Sequence, residues 1–153
     1  MSKLGRLLLL LASVIGSAGS IAQSASPGVP TIAQGDWRVT GVICPTCRHI
    51  SRPEIGSMVA FADTKITNPL GGDCAHAPGY GLLRSIPTSK LLDSKGRLWP
   101  RKLKEDLNSY ESVVYGYITC DGVNHMRVIF ANNNHAFYFV EGDAIVVLQR
   151  EEQ

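Results

Sequence analysis

The residues CPTCRHI, 44–50, hold the densest set of reactive groups in the chain, two thiols three positions apart and an imidazole just beyond them. A redox dithiol needs a thiol pKa lowered by a helix N-terminus or a neighbouring cation. A zinc site needs further ligands at a similar spacing. Haem attachment needs histidine directly after the second cysteine. A disulfide needs only an oxidising compartment. Arg48 stands where haem attachment requires histidine, and the imidazole is His49, so that reading fails. The following RHISRPEIG holds a proline and a glycine and cannot continue as the long helix of a thioredoxin-like site, although His49 or Arg48 can acidify a thiol. Zinc would draw on Cys44, Cys47, Cys74 and His76, but Cys-Ala-His is tighter than the usual gap of about two to four residues between ligands.

Elsewhere there is no G-x-S-x-G, H-E-x-x-H or phosphate loop. Asp73, Asp121 and Asp143 each adjoin a glycine, where turns favour aspartate. His125 and His135 flank an expected hairpin, facing each other near its ends, and read as surface or turn histidines. No catalytic residue, metal ligand or cofactor-binding residue is assigned.

The elements that position these groups begin after a secretory signal. Lys3 and Arg6 precede the short apolar run 7–15, and small residues follow from Gly16 to Ala22. The run is shorter than the roughly 20 residues that span a bilayer. The expected organisation is a signal peptide at 1–22, a flexible Ser/Ala/Pro/Gly leader at 23–35, and one antiparallel β domain at 36–153, with no membrane anchor after cleavage. Loss of Lys3 and Arg6 from the fifteen basic residues leaves a mature chain balanced against thirteen acidic ones, without the basic footprint of a nucleic-acid binder.

Within the mature chain, WRVTGVIC (37–44) alternates as a half-buried strand, with Trp37, Val39, Gly41 and Ile43 on one face. SRPEIG (51–56) has a capping-box spacing for one helical turn. Residues 57–67 form a second extended run, 68–81 a Gly/Pro-rich loop, and 81–86 a short strand before Pro87. WPRKLKEDLNSY (99–110) is the expected helix, with Leu103 and Leu107 as one apolar seam to lay on a sheet. Residues 113–120, 125–131, 136–140 and 144–150 read as a four-stranded meander joined by Asn-, Asp- and Gly-rich turns. The expected fold is mainly β: a small antiparallel meander barrel, or a strongly bent sheet, of six to eight strands with one short helix.

Four cysteines in an exported chain read first as two disulfides. The pairing favoured by proximity is Cys44 with Cys47 and Cys74 with Cys120. The long bridge would contribute about 4 kcal/mol in the chain-entropy model and the short one about 2.

The string ITCDGVNHMRVIFANNNHAFYFVEGDAIVVLQR (118–150) resembles small β-barrel proteins that bacteria export to the periplasm, including lipocalin-like domains. Its YITCDG…V…F…N…A portion (117–136) is similar to the opening of C-type lysozyme inhibitors. The resemblance implies a disulfide-stabilised antiparallel barrel that acts by binding an enzyme. The active-site-blocking loop of those inhibitors has no counterpart before Gln153, so no inhibitory residue is carried over. The expected function is an exported, periplasmic or secreted, non-catalytic protein that binds an envelope protein or enzyme in the manner of an inhibitor or immunity protein. Its expected binding loops carry His49, His76 and Tyr80. Two alternatives stand beside it. One is a carrier of small apolar ligands, with Trp37, Phe61, Tyr115, Phe137 and Phe139 either lining a cavity or filling a core. The other is a thiol–disulfide oxidoreductase using CPTC.

Overall fold

A computed structural model of the protein describes residues 28–44, 55–69, 73–74, 76–95, 99–140 and 144–152. Among the described residues, eight strands form one open, strongly bent antiparallel sheet: β1 (Gly35–Ile43), β2 (Met58–Phe61), β3 (Ile66–Thr67), β4 (Arg84–Pro87), β5 (Ser112–Cys120), β6 (Val123–Phe130), β7 (His135–Phe139) and β8 (Ile145–Arg150). Their order is β3-β2-β1-β8-β7-β6-β5-β4, so the expected four-stranded meander occupies one side and the first strand joins it along its last. Among the described residues the sheet does not close into a barrel. Both edges are short, and β4 ends on Pro87, which limits further strand pairing.

The run 57–67 is not one strand. It turns back at 62–65, where Ala62 N–H donates to Lys65 C=O, and makes β2 and β3. Between β4 and β5 the described residues form two helices instead of one, α1 (Thr88–Lys95) and α2 (Arg101–Leu107). In α2, Pro100 takes the position just before the helix with extended backbone, and Leu103 and Leu107 are fully buried as the expected seam.

The sheet buries apolar side chains on both faces. One core gathers Trp37, Val39, Val59, Phe61, Phe130 and Tyr138, with the Phe130 ring 5.5 Å from both Trp37 and Phe61. The other packs Ile43, Ile129, Phe137 and Ile145 beneath Leu91 of α1 and Leu103 and Leu107 of α2. Alternation along β7 supplies both: Ala136 and Tyr138 to the first, Phe137 and Phe139 to the second.

Simple alternation fails in β1. Val39 pairs with Leu148 but Gly41 with Val147, so Thr40 is an additional residue. This bulge moves Ile43 to the opposite face from Trp37 and Val39, correcting the expectation that all three share one.

Ordered packing also begins earlier than Trp37. Ala33 is fully buried, its carbonyl accepts the Trp37 indole N–H at 2.9 Å, and Val29 N–H donates to the Asp63 carboxylate at 2.7 Å. The Arg150 guanidinium lies 4.6 Å over the Trp37 ring and donates to the carbonyls of Ile32 and Gln34, holding this segment down. Residues 28–35 therefore belong to the packed structure and not to a flexible leader, while 1–27 lie outside the described residues. No helix among the described residues is long and apolar enough to cross a membrane.

Candidate functional site

The turn between β5 and β6 is two residues long, Asp121-Gly122, and both have positive φ, at 54° and 76°. Asp tolerates that conformation and Gly adopts it freely, so Asp-Gly makes a tight hairpin. Four attachments bring the segment carrying Cys74, His76 and Gly79 to this tip. Cys74 and Cys120 form a disulfide across Cα atoms 5.5 Å apart. Gly79 and Thr119 exchange two backbone hydrogen bonds, each 2.9 Å. The Thr119 side chain sits where a Cβ on residue 79 would fall, with Oγ1 2.4 Å from that position, so glycine allows the approach. His76 Nδ1 lies 2.6 Å from Asp121 Oδ1.

The tip is further shaped by a bulge in β6. Ile118 pairs with Met126 but Thr119 with Asn124, so His125 is the additional residue. Its imidazole comes beside the disulfide: one ligating atom each from Cys74, Cys120 and His125 lie within 4.8 Å of one another. In the same segments Asp73, His76, Asp121, Asn124 and His125 are exposed, and Val123 is 68% exposed.

His76 is therefore placed on an exposed surface, beside Asp121. Tyr80 is not. It is 2% exposed, belongs to the first core, and its hydroxyl donates to Ala62 C=O at 2.9 Å. Burial, with Asp63 nearby, pushes its phenol well above the usual range. The expectation of a binding tyrosine there is corrected: a ring that size following a Gly/Pro-rich loop anchors the loop. Cys74 is joined to Cys120 as expected, so its sulfur is not available to a zinc set with Cys44, Cys47 and His76. Cys44 is also disulfide-bonded. Cys47 and His49 lie outside the described residues, as do the capping-box turn at 51–54 and Asp143.

The aromatics considered as a cavity lining do not share one cavity. Trp37 and Phe61 pack in the first core; Phe137, with Tyr115 and Phe139, packs in the second. His125 and His135 do not face each other, because they stand at opposite ends of the β6–β7 ladder. His135 pairs instead with Tyr110, its Nδ1 2.8 Å from the hydroxyl, and its ring lies 4.7 Å from that of Phe137.

Asp121 and His125 were not singled out together from sequence. The signal was available in CDGVNH, where Asp-Gly folds the chain back and returns His125 towards Cys120. No protein-family model matches the chain, and neither the curated proteins nor the solved structures contain a match to it.

Proposed function

We propose that this is an exported, non-catalytic binding protein that engages an envelope protein or enzyme through the β5–β6 tip. The observation that carries the reading is the multiple attachment of an irregular segment to a hairpin end. Loops are ordinarily mobile, and ordering one on binding costs free energy. Here a disulfide and a backbone hydrogen-bond pair fix the segment in advance, with the His76 imidazole beside Asp121. The tip exposes a valine, Val123, together with imidazole, carboxylate and amide groups, the mix of apolar and polar groups that suits a protein partner.

The carrier reading has less support. The aromatic residues it needs fill two separate cores, and the sheet has no closed mouth.

Immobilised protein exposed to periplasmic extract is expected to retain a partner at near-equimolar ratio, and the doubly substituted H76A/V123D protein to lose it. Retention of no protein by the unsubstituted chain, or equal retention by both, contradicts the proposal.

A further inference from the structure

The hairpin tip also carries an inference about its own chemistry when the disulfide is open. We infer that Cys74, Cys120 and His125 form a cation site in the dithiol state of this protein, taking Zn²⁺ or a similarly soft cation with tetrahedral preference. Three observations converge on it. An imidazole nitrogen of His125 lies within 4.8 Å of both disulfide sulfurs. The β6 bulge that places His125 there is a distortion of the ladder, which the hairpin would not need merely to close its turn. The Gly79–Thr119 backbone hydrogen bonds, which do not involve sulfur, would keep the Cys74 segment beside the hairpin once the S–S bond is broken.

The stereochemistry is compatible. Zn–S bonds of about 2.3 Å in a tetrahedral set separate two sulfurs by about 3.8 Å. With Cα atoms 5.5 Å apart, side-chain rotation can supply that opening. Cys74 is nearly buried, Cys120 half-buried and His125 exposed, so the site has a protected base and a solvent side. Three protein ligands with the fourth position open to water is a known zinc arrangement. The chemistry balances simply. A dithiol reductant gives two electrons and two protons to the Cys74–Cys120 bond and closes to its own disulfide; the cation then displaces the two thiol protons. The same sulfurs are thus a covalent clamp under oxidising conditions and ligands under reducing ones.

The test uses the full chain carrying C44S/C47S, which leaves only these two thiols, reduced with a phosphine that is itself converted to its oxide with oxygen from water. Titration with Co²⁺ is expected to give one equivalent bound, with thiolate-to-cobalt charge-transfer absorption that Zn²⁺ abolishes. H125A in the same background is expected to weaken binding at least about tenfold. The oxidised protein is expected to show no such absorption. If reduction unfolds the chain, Zn²⁺ is expected to restore its far-ultraviolet circular dichroism, and not that of the H125A form. Absence of both cobalt absorption and zinc-driven refolding, binding indifferent to H125A, or the same spectrum from oxidised protein overturns the inference.

Discussion

His135 opens β7 with its ring half-buried against Phe137 and its Nδ1 against the Tyr110 hydroxyl. Burial lowers its pKa; nearby Asp106 opposes that shift and Lys102 adds to it. In the unfolded chain histidine titrates near about 6.5. The unfolded state therefore binds the proton more readily, and stability rises with pH between the lowered folded value and the unfolded one. The contribution is fully present above the unfolded pKa and is lost as pH falls through that window. Urea midpoints measured at about pH 5.5 and about pH 7.5 should differ in that sense. His135→Gln should narrow the difference, since it removes the titrating group; an unchanged difference would show that His135 is not its source. Arg38 and Glu151 also pair, but on the surface, where such pairs contribute little.

At the scale of elements, the parts legible in the sequence are those governed by local rules. The meander showed itself through alternation and turn residues, and α2 through Pro100 and the Leu103–Leu107 spacing. What escaped reading depends on partners distant along the chain. Helix α1 has Leu91 as its one buried leucine and gains its place from the second core. The bulges at Thr40 and His125 are set by the registers of β8 and β5, which no window around either residue reveals. The crossing of the Leu82–Leu83 backbone over β5 is a similar case. A Cβ on Gly116 would lie 2.2 Å from the Leu82 carbonyl oxygen, with φ at +154°. Gly116→Ala should therefore cost roughly 2–4 kcal/mol, read as a lower urea midpoint at unchanged m-value. A loss under about 0.5 kcal/mol would mean the loop does not press on the strand there.

Over the whole molecule, long-range attachments hold what the sheet alone leaves loose. Arg150, near the chain's end, fixes the carbonyls of residues 32 and 34 and lies over Trp37. Cys74 and Cys120, 46 positions apart, fix the irregular segment to the hairpin tip. That pairing was legible because assigning Cys44 to Cys47 by proximity in the sequence leaves only one long bridge. The surface around it was not, because the surroundings of His76 depend on Asp121 and those of His125 on a bulge. A closure of that length contributes about 4 kcal/mol in the chain-entropy model, comparable to much of a small domain's net stability. The proposed binding surface requires this connection, and the proposed dithiol site requires the same two cysteines to be neighbours. Non-reducing peptide mapping by mass spectrometry measures it directly. The expected result is a Cys74 peptide linked to a Cys120 peptide; a Cys74 peptide joined to Cys44 or Cys47, or both thiols alkylated as free cysteines in protein recovered without reductant, would contradict it.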